Sequence, residues 1–149
     1  MGRRVRRADV PFPTPLFVLD AQPYSLLGED DPRVVARIAV AREEGFIPAI
    51  SVVTLAEVRR TGAVGRRLIW QRAHLTVIPV TEAVADVAGT LLEGTGLDGH
   101  ERVVDALVVA SAAVGSGPAK VASSDGSHIP KLISEARLRR DSPIAWVPV

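Results

Sequence analysis

The sequence has no cysteine, so neither a disulfide nor a thiolate zinc site can support its fold. That lack is compatible with a reducing compartment, and the cytoplasm is the expected location. It also has no long apolar run. The longest candidate is interrupted by Asp105 and falls short of the roughly 20 residues that cross a bilayer, so no membrane association is expected. Net charge is only +1, which leaves no global field to draw in nucleic acid; any phosphate binding must come from local patches. His74, His100 and His128 lack zinc-ligand spacing, no G-x-S-x-G elbow occurs, and Gly115-Ser116-Gly117-Pro118-Ala119-Lys120 is not a P-loop.

What is present is enough apolar material for one core: 149 residues, 47% of them hydrophobic, suit a single compact domain. The N-terminal Met1-Gly2-Arg3-Arg4-Val5-Arg6-Arg7 is charged like the start of a signal peptide, but Pro11-Phe12-Pro13-Thr14-Pro15 occupies the place of the apolar segment that should follow. Residues 1–15 therefore read as a basic, mobile tail and residues 16–149 as the domain. Arginine supplies 16 of the 18 basic residues, since lysine occurs only at positions 120 and 131. Guanidinium groups suit bidentate phosphate contacts, although genomic base composition produces the same bias.

Short β-like runs alternate with helical stretches, the pattern of an α/β domain on a parallel sheet. Strands are expected at residues 16–20, 46–50, 75–80, 120–124 and 144–147, the last at an edge. A helix should start at Asp31-Pro32 and stop at Gly45; another, capped by Ser51, should cover 52–60 and close at Thr61-Gly62. Further helices are expected over 64–73, from Thr81 through Leu92, over 101–114 and over 129–138, with a loop at 94–99. Five strands with helices between them make one layered sandwich.

Four acids stand out by their surroundings. Asp20 ends Leu16-Phe17-Val18-Leu19, Asp125 follows Val121-Ala122-Ser123-Ser124, Asp105 lies inside Val103-Val104-Asp105-Ala106-Leu107-Val108-Val109, and Glu57 follows Val53-Thr54-Leu55-Ala56. An unpaired carboxylate in an apolar setting takes up a proton or costs several kcal/mol, so charges gathered in this way call for a cation. Each acid alone has a plainer reading: Asp20 and Asp125 as helix caps or turn formers, Asp105 as a dipole-stabilised helix acid, Glu57 as a solvent-facing one.

As a set, Phe17-Val18-Leu19-Asp20, Val53-Thr54-Leu55-Ala56-Glu57-Val58, Val103 to Ala110 around Asp105, and Val121-Ala122-Ser123-Ser124-Asp125 resemble the PIN-domain family, in particular its VapC-type ribonuclease toxins. The resemblance spans Leu16 to Val149. It implies a PIN-like three-layer α/β/α sandwich with a five-stranded, mainly parallel sheet, and a pocket in which Asp20, Glu57, Asp105 and Asp125 hold one or two Mg²⁺ or Mn²⁺ ions. The implied activity is hydrolysis of RNA phosphodiester bonds, with Ser124 as a supporting hydroxyl or a plain turn residue. A small antitoxin partner and a homodimer are implied as well. The chain departs from its relatives at Ser127 and His128, at Glu101-Arg102 and at Ala21, where they often carry further acids or a hydroxyl residue; a second metal ion is the point this leaves open.

Substrate guidance is expected from Arg59, Arg60, Arg66 and Arg67, which follow the Glu57 helix, with a solvated helical face as the plainer reading. Arg3, Arg4, Arg6 and Arg7 add nonspecific phosphate attraction or form an inert end. The aliphatic helix around residues 34–41 packs on the sheet or meets a partner. Two other acid-bearing α/β classes fit less well. A receiver module needs an Asp at the end of its third strand, where Ile78-Pro79-Val80 has none, and a haloacid-dehalogenase-like phosphatase needs a second Asp at the position of Gln22. A PIN-like RNA-binding or regulatory module with little catalysis remains the alternative.

Overall fold

The structure is a computed structural model and describes residues 14–149; the expected basic tail lies outside the described residues as far as position 13. β1 (Leu16–Leu19) is a run of apolar residues, all buried. A strand sends alternate side chains to opposite faces, so such a run requires cover on both. Leu16 and Val18 enter one core with Ala49 and Val121, while Phe17 and Leu19 enter a second with Ile50 and Ala122. β1 pairs on one side with β2 (Ile47–Ser51) and on the other with β4 (Ala119–Ser123). β3 (Thr76–Ile78) and β5 (Ile144–Pro148) are the edges, giving the order β3-β2-β1-β4-β5 with every pairing parallel.

Parallel neighbours need crossover connections, and here they supply both outer layers. α1 (Ala21–Leu27), α2 (Pro32–Glu43) and, beyond the short α3 (Val52–Glu57), α4 (Gly62–Arg72) bury Tyr24, Leu27, Val34, Ile38 and Leu68 on the Phe17 face. α5 (Glu82–Thr95), α6 (Gly99–Ala113) and α7 (His128–Arg137) bury Val84, Leu91, Val109, Ile129 and Leu132 on the other. Val34, Ile38 and Ala41 of α2 thus go to the core, while Val35 and Val40 stay exposed. No helix among the described residues is long and apolar enough to cross a membrane.

The chain runs outward from β1 through β2 to β3, then returns to the far side of β1 as β4 and continues to β5. Strand order therefore reverses between β1 and β4, and ligands gather beyond the carboxyl ends of strands at such a point. Asp20 sits directly past the end of β1, its N–H donating to the Ala122 carbonyl at 2.9 Å. Lys120 lies near the other end of β4, opposite Phe17, where it pairs with Glu44 at 2.6 Å.

Several boundaries differ from expectation. α1 was not among the expected helices; Pro23 falls in its first turn, where proline displaces no intrahelical hydrogen bond. α3 stops at Glu57 instead of reaching residue 60: Val58 is extended (φ −92°, ψ 106°) and packs on the Phe17-side core. Thr61 takes the N-cap position of α4 rather than closing α3. β3 keeps only three of the six residues expected, since an edge strand has one neighbour and Pro79 has no N–H to give. α5 runs on to Thr95, where Gly96 (φ 67°) makes a left-handed cap.

Candidate metal centre

Asp20 caps α1: its Oδ1 accepts the Ala21 N–H at 2.8 Å, which is the plainer role the sequence allowed it. Its second oxygen is also engaged. Ser123 Oγ donates to Asp20 Oδ2 at 2.7 Å and accepts the Asp125 N–H at 3.0 Å, so one fully buried hydroxyl ties the end of β1 to the loop after β4. Sequence reasoning had offered Ser124 as a supporting hydroxyl or a plain turn residue. That exposed residue instead directs its hydroxyl to Gln22 Oε1.

Asp125 organises the turn into α7. Its Oδ1 accepts the N–H groups of Ser127 and His128 at 2.8 and 2.9 Å, and its Oδ2 lies 3.0 Å from His128 Nδ1. Partial burial opposes its charge, but these bonds outweigh burial and hold the carboxyl below its ordinary range. Asp105, half-buried on the second turn of α6, behaves oppositely. Burial, then the charges of Asp20 and Asp125, push it up; Arg102, 3.6 Å away, offsets part of this. Glu57, the last residue of α3, is also pushed up, by burial first and then by Asp20 and Asp105.

These couplings link all four acids into one electrostatic cluster, brought from four separate elements to the rim where strand order reverses. Ligand atoms of Asp105, Asp125 and His128 lie within 4.8 Å of one another, close enough to hold one metal ion. Two carboxylates and an imidazole form a mixed oxygen and nitrogen donor set. Sequence reasoning missed His128 by testing histidines only for zinc spacing; the signal available was its place three residues after an acid at a strand end. Ser123 left a fainter one, a polar residue closing an apolar strand. Beneath the loop, Trp146 Nε1 donates to the Ser123 carbonyl at 3.1 Å, and a Cβ at Gly126 would lie 3.5 Å from the indole.

The arginines divide. Arg60 reaches Ser25 and Glu29, both at 2.8 Å. Arg67 bonds the Gly28 carbonyl at 2.7 Å and pairs with Asp30 at 3.3 Å. Arg59 and Arg66 are exposed and have no ion pair among the described residues.

No family model and no curated protein sequence matches the chain. In three dimensions it is similar to a chain in the crystal structure of VapBC2 from Rickettsia felis bound to a DNA fragment from their promoter. The TM-score is 0.60 at 16% identity, over 89% of this chain and 98% of that one. At such identity the likeness concerns the fold, and the fold is the PIN-like α/β/α sandwich anticipated from the four motifs.

Proposed function

We propose that the chain is a divalent-metal-dependent ribonuclease that hydrolyses phosphodiester bonds in RNA, with Asp20, Glu57, Asp105 and Asp125 as its metal-holding and water-orienting acids. The observation that carries this reading is the gathering of four acids at the sheet's reversal point, where mutual repulsion works against the charged forms of Glu57 and Asp105 and partial burial adds to it at Asp105. A cation relieves that repulsion. Asp105, Asp125 and His128 fit one ion, and Asp20 and Glu57 border it as ligands of the same ion or of a second. Mg²⁺ or Mn²⁺ suits the oxygens.

When bound, such an ion supplies Lewis acidity toward phosphate and makes water a better nucleophile near neutral pH. The side chains do the rest. Ser123 fixes the Asp20 carboxylate, Asp125 and His128 fix one another, and Arg102 carries positive charge to the place where a phosphate approaches Asp105. Attack of water on phosphorus then forms one P–O bond as the ester P–O bond breaks. Arg59 and Arg66, with Arg60 and Arg67 behind their acid partners, guide the strand.

The likeness to a VapBC2 chain supports a narrower form of the proposal: a cytoplasmic toxin restrained by a small antitoxin protein, acting as a homodimer. The test is incubation of the purified chain with structured and single-stranded RNA, with and without Mg²⁺ or Mn²⁺. Cleavage should require the ion and disappear in Asp20→Asn and Asp105→Asn. Cleavage that survives EDTA or either substitution would remove the reading.

A further inference from the structure

Beside the acid cluster lies a cavity of about 230 Å³ between α1, α3 and α4, bordered by Tyr24, Leu55, Arg59, Arg60, Leu68 and Arg72. Its walls are extensions of the elements that carry the acids. Tyr24 is one helical turn past Asp20, its N–H bonded to the Asp20 carbonyl at 3.1 Å, and Arg59 follows Glu57 by two residues. One helical turn advances about 5.4 Å, so Tyr24 and Arg59 stand within a turn of Asp20 and Glu57 along the chain, although no acid is among the cavity's lining residues. Its charge has the opposite sign. Three guanidinium groups border it, and only Arg60 has an acidic partner among the described residues, the half-exposed Glu29.

The cavity is a built feature. Gly65 stands at its wall because a Cβ there would come within 2.4 Å of the Arg60 carbonyl, so the α3–α4 junction closes tightly only with glycine. The break after Glu57 turns Arg59 and Arg60 away from the helical path that would have carried them. Arg72, at the end of α4, lies close enough to Tyr24 for its charge to act on the phenol. Leu55 and Leu68 line the cavity together with Arg59 and Arg72, two exposed guanidinium groups with no ion pair among the described residues, and guanidinium groups make charge-assisted bonds to phosphate.

We infer that this cavity, through Arg59 and Arg72 with Tyr24 as its wall, seats an RNA phosphate neighbouring the one presented to the acid cluster. The inference rests on the ribonuclease reading and adds to it a second anchoring point, with Arg72 as a binding residue that the sequence did not single out. Two anchors on adjoining positions fix the direction in which a strand crosses the acids. Arg67, paired with Asp30, plays no part in this seat.

The experiment measures binding of a short fluorescein-labelled, phosphorothioate-linked single-stranded RNA to the full chain in Mn²⁺, by anisotropy over a series of salt concentrations. Arg72→Gln and Arg59→Gln should each weaken binding about 10-fold and lower the salt slope by about 0.7. Arg72→Lys should recover the slope. Arg37→Gln, on the exposed side of α2, should leave both unchanged, and melting temperatures should report intact folds. An unchanged slope in Arg72→Gln and Arg59→Gln overturns the seat while leaving the ribonuclease reading intact, and failure of the wild-type chain to bind RNA overturns both. The expected losses in a chain that shows no metal-dependent cleavage would keep the seat and remove the ribonuclease.

Discussion

Asp105 concentrates the conflict of the site in one side chain. Its folded-state pKa is raised, as is that of Glu57, so the unfolded chain ionises at lower pH than the folded one. Below the unfolded values both states are protonated and this stabilisation is fully present; it is lost as pH rises from the unfolded values through the folded ones, above which no more is lost. The metal-free protein should accordingly gain stability as pH falls from neutral toward the ordinary carboxylate range. Asp125 works in the other direction, since its depressed pKa gives stability that acid removes once pH falls through the folded value. Asp105→Asn should raise the metal-free melting temperature and abolish the stabilisation expected of Mn²⁺ in the wild type, about 2.7 kcal/mol at a hundred times Kd. A metal-free Asp105→Asn that melts below wild type would contradict this account. His128→Ala should weaken Mn²⁺ binding about 10- to 100-fold and Mg²⁺ less, because imidazole suits transition metals and Mg²⁺ prefers oxygen; calorimetry with both ions decides, and equal losses would exclude His128 as a ligand. The four acids could be singled out because each breaks an apolar context. Ser123 could not, because what marks it is its bond to Asp20 from another strand, and His128 was passed over because the local cue, an acid three residues earlier, matters only once Asp105 of α6 is brought near it.

Among the elements, α6 governs where Asp105 stands, and its start is fixed by Asp98, whose side chain accepts the His100 and Glu101 N–H groups at 2.8 and 3.2 Å. Asp98→Ala should cost about 1 kcal/mol, a drop of about 2–4 °C in melting temperature; no change would mean that packing alone sets the helix start. The sequence foretold α2 closely because Asp31, Pro32 and the apolar stripe all agree on one answer. It missed α1 and overextended α3, where local signals oppose one another. Pro23 sits within α1, whose first turn tolerates it, and Val58-Arg59-Arg60 suggests helix although packing Val58 on the core bends the chain away. That second misreading is why the cavity beside Glu57 could not be foreseen from spacing.

At the scale of the molecule, the α/β class and the number of strands could be read from alternating patterns, but the order β3-β2-β1-β4-β5 could not. Periodicity tells which faces are buried and never which strand is the neighbour. Placement of β1 between two cores has a kinetic corollary. Its amides should exchange slowest, and those of β3 and β5, each with a single neighbour, should exchange sooner; mass-spectrometric exchange with faster protons on β1 than on β3 would contradict the central position.

The bond from Trp146 to the Ser123 carbonyl turns the chain into its own optical gauge. The same serine grips Asp20, while the other indole, Trp70, stands 61% exposed on α4. Any ion that tightens the loop around Asp125 must alter the light from Trp146, so occupancy can be followed by eye of a fluorimeter with no dye attached.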